Sequence, residues 1–394
     1  MSNILLKNAK IHTGEESIDK ASIWITDEFI NEIGDNEAFQ NILFDRVIDC
    51  EDQGWVLPGM IDLHIHGTNN ADIMDGTQEA LETMSKALPK EGTTSYLATT
   101  LTHAEGTIEN ALKNVRDFML TSNSNGAEVI GVHLEGPFLN IEKRGAQLEE
   151  YIQKPNIELF NKWFQLSGKS IQLVTMAPEE DENYKLVNHL KELGIIVSIG
   201  HTNCTYNQAR ESINNGITHA THLFNGMSGI HHRDVGTAGA ALLSNQVFAE
   251  MILDGYHLTP EIADLTYRLK GPDHIILVTD SIRAKFLDEG SYDIGGQVVT
   301  VIDNKVINEE GKLSGSVLKM SKARKNFMKW IDNDISIVTK ITSTNPAKHI
   351  GVYGRKGSLH TGKDADIILV NHEGEIILTI CRGKIVYDAI QKIR

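Results

Sequence analysis

The chain has 394 residues, with 53 Asp and Glu against 37 Lys and Arg, so it carries a formal net charge of −16 at pH 7. That balance disfavours nucleic acid or an anionic membrane surface as partner, because both require basic patches to neutralise phosphates. A small anionic ligand stays open, provided the chain supplies a local cluster of positive charge or oriented N–H groups.

Cys50, Cys204 and Cys381 lie far apart with no C-x-x-C pair, which argues against a disulfide framework and a structural zinc knuckle. No run approaches about 18 consecutive apolar residues. The opening MSNILLKNAKIHTG lacks the basic region, apolar run and small-residue cleavage site of a signal peptide, so a cytoplasmic protein with reduced thiols is expected.

Residues 1 to about 55 carry short strand patterns broken by turn residues: Asn3 to His12, Ala21 to Thr26, Phe29 to Ile33 and Arg46 to Cys50. The same texture returns at Asp366 to Val370, Glu375 to Ile380 and Lys384 to Tyr387. Neither set alone is large enough to bury a core. Residues 1–57 and 360–394 are therefore expected to build one small β-sandwich domain together.

Between them, in residues 58–359, apolar runs alternate with amphipathic helical segments, the texture of a parallel sheet with crossover helices. Eight runs read as strands: Met60 to His66, Thr93 to Thr100, Val129 to Glu135, Ile171 to Met176, Ile195 to His201, Thr218 to His222, Phe248 to Asp254 and His274 to Asp280. Helical periodicity marks Gln78 to Lys90, Glu105 to Thr121, Glu180 to Leu193, Tyr206 to Gly216 and Pro260 to Lys270. Eight such units imply an α/β fold, a TIM-like (β/α)8 barrel. Tyr292 to Ile294, Gln297 to Ile302 and Lys305 to Asn308 suggest a hairpin inserted near 290–310 that covers the site. Lys319 to Asp332 and Ile337 to Ile341 read as closing helices, the second ended by Asn345-Pro346.

In such a barrel the reactive groups sit at the C-terminal ends of the strands. In Ile61-Asp62-Leu63-His64-Ile65-His66-Gly67, strand alternation puts both histidines on one face, about 7 Å apart, where they can share a metal ion. The other strand ends carry Glu135, His201, His222, His257 just past the seventh strand, and Asp280. Imidazole and carboxylate together suit one or two divalent ions, with zinc, iron or manganese all compatible. Such an ion polarises a carbonyl and acidifies water, which makes amide hydrolysis feasible at neutral pH. Asp280 is the expected general base toward that water and then general acid toward the departing nitrogen. His133 and His219 are expected to support the ligands rather than act as ligands. Beyond His222, the run Leu223-Phe224-Asn225-Gly226-Met227 continues through His231-His232-Arg233; with His257 it supplies the local donor set that an anionic substrate needs.

These residues resemble a known family. Pro58-Gly59-Met60 through Gly67, together with Gly357-Ser358-Leu359 and Gly362-Lys363-Asp364-Ala365-Asp366, are similar to the amidohydrolase superfamily. Within it, His133-Leu134-Glu135-Gly136-Pro137-Phe138-Leu139-Asn140, Gly200-His201-Thr202, Thr221 to Met227 and Leu277 to Asp280 resemble the N-acetylglucosamine-6-phosphate deacetylase family over nearly the whole chain. The resemblance implies hydrolysis of that phosphosugar to glucosamine 6-phosphate and acetate. It implies Glu135, His201 and His222 around a principal metal, His64 and His66 at a second, and Asp280 as acid-base residue. Asn225, Gly226, Arg233 and His257 would bind the phosphorylated sugar. A homodimer is implied too, in which Arg233 or His232 serves the neighbouring subunit. In one departure, Gln147 stands where many relatives carry a histidine that approaches the acetyl carbonyl; an amide can donate there but cannot titrate. No strand-end lysine suits a metal-bridging carbamate, and Glu135 takes that place. Two alternatives stay open: deacetylation of N-acetylgalactosamine 6-phosphate or another N-acyl amine, and a non-catalytic scaffold of the same fold.

Overall fold

The computed structural model describes residues 2–121 and 125–390. Its centre is an eight-stranded parallel sheet formed by Met60–Ile65, Thr93–Thr100, Glu128–Glu135, Ile171–Met176, Ile196–Ile199, His219–Ala220, Phe248–Met251 and Ile275–Leu277, each paired with the next in sequence. A parallel bridge from Ile65 to Ser281 joins the first strand to the segment just past the last, and the Asp280 N–H donates to the His64 carbonyl at 2.8 Å. The sheet thereby closes into the expected barrel. The first two strands are buried along their whole length, which is why they read as near-continuous apolar and Thr-rich runs.

The fifth, sixth and eighth strands are shorter than their sequence patterns suggest. His201, His222 and Asp280 end those patterns, but each leaves the extended region, with φ of 48°, 30° and 48°. The ladder therefore stops before the residue whose side chain turns into the barrel mouth.

Most helices fall where the 3.6 period places them, and Glu105–Thr121 and Pro260–Lys270 match their predicted limits. Gly236–Leu243 gave no such signal because nearly all of it is buried, leaving no polar face to set a period. The expected stop at Asn345-Pro346 does not occur. The chain continues from Ile335–Thr339 through a π-helical turn at Lys340–Thr344 into Asn345–His349. The wider turn re-sets the hydrogen-bond ladder, and Pro346 falls in the first turn of the next helix, where its missing N–H is tolerated. The Asn345 side chain fixes this junction by donating to the carbonyls of Pro272 and Ile275 at 2.7 and 2.8 Å.

Both chain ends meet in a second sheet. Asn3–His12 pairs with Ser17–Thr26 on one side and, on the other, with Arg46–Asp49 and Trp55–Pro58 at different points along its length. Trp55–Pro58 in turn pairs with Ile367–Val370 from the far end of the chain. The branched sheet folds over a core that mixes Leu6, Ile11, Ile23 and Ile25 with Leu369, Leu378 and Ile380, giving the β-sandwich. The insertion after the barrel is a three-stranded antiparallel sheet, Gly290–Ile294, Gln297–Ile302 and Lys305–Asn308, rather than a hairpin. It packs through Ile294, Val299, Val301 and Val306 on Leu101 and Ile282 beside the barrel mouth. Among the described residues no helix is long and apolar enough to cross a membrane.

An ion network ties the third barrel strand to the segment that leads back into the sandwich. Glu128 lies 2.7 Å from both Arg355 and Lys356, and Lys356, 1 % exposed, also reaches Asp364 at 2.9 Å. Burial opposes the Glu128 charge, but Lys356 and Arg355 outweigh it and hold the carboxyl at about 2 instead of 4.5. A depressed carboxyl stabilises the fold above its unfolded value and loses that contribution as pH falls toward the folded value. Glu128→Gln is therefore expected to cost roughly 3 kcal/mol at neutral pH. The deficit relative to the parent should close between pH 4.5 and about 2, read by thermal denaturation across that window.

Candidate metal centre and active site

The strand ends place four histidines and two carboxylates around one point at the barrel mouth. Residues at positive φ with a side chain are strained by about 1–3 kcal/mol each and persist where the surroundings over-determine them. Three of the six, His201, His222 and Asp280, are of this kind. All six are at least nine-tenths buried.

Glu135 occupies the middle. Its Oε1 lies 3.2 Å from His201 Nε2 and 3.4 Å from the Nε2 atoms of His222 and His64. Its Oε2 lies 3.4 Å from His66 Nε2 and accepts from the Gln147 amide at 2.7 Å. Asp280 Oδ1 is 3.2 Å from His66 Nε2 and 3.4 Å from His64 Nε2. Two groups of donor atoms result, Glu135 with His201 and His222, and His64 with His66 and Asp280; in each the atoms lie within 4.8 Å of one another.

The hydrogen bonds on the far side of each ring test whether this set fits a metal. His201 Nδ1 donates to the Lys143 carbonyl at 2.8 Å, His222 Nδ1 to the Asn225 carbonyl at 3.1 Å and His66 Nδ1 to the Thr99 carbonyl at 3.3 Å. A carbonyl only accepts, so in the neutral rings these bonds put the hydrogen on Nδ1 and a lone pair on Nε2. The Nε2 atoms of His201 and His222 then face each other at 3.1 Å. Two opposed lone pairs at that distance repel, and an electrophile shared between them relieves it. Among the described residues His64 Nε2 is buried without a hydrogen-bond partner, although it points at the same centre. Bare imidazole nitrogens beside two carboxylates are the donor chemistry of a divalent transition-metal site. A third grouping, His64 with His133 and Glu250, is also close enough. Its atoms are spent elsewhere: His133 Nε2 bonds Thr175 at 2.7 Å, and Glu250 bonds three donors. Burial together with neighbouring His64 drives the His133 pKa well below the ordinary value, which keeps it neutral and supporting.

The cavity over the centre is lined by Gln147, Asn225, Gly226 and His257, with Ile294 and Gly315 from the covering segment. Gln147 is held at both ends: its Oε1 accepts from the Thr102 N–H at 2.7 Å while its amide nitrogen bonds Glu135, leaving a second amide hydrogen for a ligand. His257 Nδ1 bonds Asp254 at 2.6 Å. Burial disfavours charge on this ring, but that bond, the Asp254 charge and Asp280 behind it raise its pKa above the ordinary histidine value, as an anion pocket requires. His232 and Arg233 do not join this group. Both are exposed, and the Arg233 guanidinium bonds the neighbouring His232 ring at 2.8 Å. Glu250 escaped the sequence reading. Its signal was a lone carboxylate in the strand Phe248-Ala249-Glu250-Met251, since a charge buried in a barrel strand requires partners.

A histidine-carboxylate cluster of this composition at the C-terminal mouth of a (β/α)8 barrel defines the class of metal-dependent barrel hydrolases. The family model described as the amidohydrolase family matches residues 55–386, and the chain belongs to that family. It is 42 % identical over 387 residues to the N-acetylglucosamine-6-phosphate deacetylase of Bacillus subtilis strain 168, covering 98 % of this chain and 97 % of that protein. It is 31 % identical over 314 residues to the N-acetylgalactosamine-6-phosphate deacetylase of Escherichia coli O157:H7, covering 80 % and 83 %. The crystal structure of N-acetylglucosamine-6-phosphate deacetylase from Pasteurella multocida superposes with a TM-score of 0.91 at 30 % identity, covering 97 % of this chain and 99 % of that one.

Proposed function

We propose that the chain hydrolyses the acetamide of N-acetylglucosamine 6-phosphate to glucosamine 6-phosphate and acetate. The observation that carries this reading is the pair of donor groups meeting at Glu135 under a cavity lined by Gln147, Asn225, Gly226 and His257. In this reading residues 58–359 form the catalytic barrel, residues 1–57 with 360–394 form the small domain, and the enzyme works in the cytoplasm as a homodimer.

Glu135, His201 and His222 would hold a divalent zinc, iron or manganese ion, and His64, His66 and Asp280 would offer a second position. When bound, such an ion would supply Lewis acidity to the amide carbonyl and lower the pKa of water at the centre. Asp280 takes the proton from the attacking water as its oxygen bonds the acetyl carbon. It then delivers that proton to the sugar nitrogen as the C–N bond breaks, so acetate and the amine leave without a free amide anion. Gln147 turns its remaining amide hydrogen toward the acyl oxygen, where negative charge develops. His257, Asn225 and the Gly226 N–H orient the phosphorylated sugar.

The test is acetate release by purified protein from the N-acetylglucosamine and N-acetylgalactosamine 6-phosphates, before and after chelation. Activity on the first, lost on metal removal and restored by added ion, supports the reading. Higher kcat/KM for the galactosamine isomer hands it to the epimeric deacetylase, and protein that binds no divalent ion leaves only the scaffold.

Arg233 and His232 are exposed, and in this reading the neighbouring subunit receives them as phosphate ligands. Arg233→Ala is then expected to raise KM for the phosphorylated substrate about 10-fold or more, the worth of a charge-assisted hydrogen bond, with kcat little changed. Equal parent activity on phosphorylated and unphosphorylated sugar contradicts the anion site.

A further inference from the structure

Both halves of the metal centre rest on one carboxylate that no ligand role requires. Glu250, fully buried in the seventh strand, bonds His64 Nδ1 through Oε2 at 3.0 Å, and the same oxygen accepts the backbone N–H of His222 at 2.9 Å. Its Oε1 accepts from His219 Nε2 at 2.9 Å. His219 Nδ1 lies 3.0 Å from His349 Nε2, and the His349 ring stacks on His219 and packs against Phe248 at the start of the seventh strand.

An ionised carboxylate only accepts, so each of its partners must donate. His64 therefore carries its hydrogen on Nδ1, and its Nε2 lone pair is aimed between Glu135 and Asp280, where that nitrogen has no other partner. The His222 N–H held by the same oxygen belongs to the residue with φ of 30°, so the bond also anchors the turn that sends the His222 ring into the centre. His64 belongs to one donor group and His222 to the other. On the metal-hydrolase reading above, we propose that Glu250 is a positioning residue: it fixes the tautomer of His64 and the turn at His222, registering the two donor groups against each other, while His219 holds it from the far side.

The experiment compares the full-length parent with Glu250→Gln. An amide keeps the volume but offers one acceptor oxygen and adds two donors, so it cannot take all three hydrogens. Zinc affinity is measured by competition with a chromogenic chelator, and the visible spectrum of the Co2+-loaded protein reports ligand geometry. Zinc affinity is expected to fall about 10- to 100-fold, with displaced Co2+ bands and an unchanged circular dichroism spectrum. Parent affinity and parent bands in a folded variant overturn the proposal alone, whereas a parent that binds neither ion overturns the metal-hydrolase reading with it. The zinc-loaded parent labelled with 15N-histidine gives a readout free of folding defects: His64 must show a protonated Nδ1 and a metal-bound Nε2, and the reverse assignment overturns the proposal.

Discussion

Asp280→Asn is expected to lower kcat about 1,000-fold or more while leaving the ion at Glu135, His201 and His222 in place. Asparagine is nearly isosteric, and the backbone bonds that set the position, from the Asp280 N–H to the His64 carbonyl and from the Ser316 N–H to the Asp280 carbonyl, do not involve the side chain. What is lost is a basic oxygen 3.2 and 3.4 Å from the His66 and His64 rings, able to hold a proton between water attack and amine departure. A carboxylate serving only as a ligand at the second metal position predicts a different result, since excess ion then restores turnover. Turnover of the variant under saturating substrate, with and without added zinc, separates the two. Activity within about 10-fold of the parent removes Asp280 from the acid-base role.

The barrel was legible because its strands are buried on both faces and spaced by amphipathic helices, and all six central residues fell at strand ends by the same pattern. Their conformations were not legible. Nothing in Gly200-His201-Thr202 or Thr279-Asp280-Ser281 announces a positive φ, because that geometry is enforced by neighbouring strands rather than by local preference. Gln147 shows the same boundary between composition and contact. Its amide chemistry could be read, but not that Glu135 and Thr102 already claim both ends of it. Glu250 escaped for the opposite reason: it sits inside a strand, and a pattern read at strand ends passes over a buried carboxylate that bonds His64, His219 and the His222 N–H. Arg233, singled out beside Asn225 and Gly226 by proximity in sequence, does not line the cavity with them: it is exposed, in a loop that a short antiparallel bridge between His231 and Asp234 closes.

Glu135→Gln is expected to abolish both metal retention and turnover, and its clearest readout is thermal. In the parent, an ion that binds only the folded chain stabilises it by about 4 kcal/mol when present at roughly 1,000 times its dissociation constant, so zinc should raise Tm by several degrees. Glu135 lies among the inward-facing Nε2 atoms of both donor groups, through Oε1 to His64, His201 and His222 and through Oε2 to His66. Replacing it by an amide of the same size removes the charge that offsets the ion and turns one end into a donor facing imidazole nitrogens. The variant should therefore show no zinc-dependent shift of Tm, together with a kcat at least about 1,000-fold down. Retention of the full thermal shift would mean that the four histidines and Asp280 suffice to hold the ion. Glu135 would then be a buried ion-pair partner of the histidine cluster instead of the element that joins its two halves.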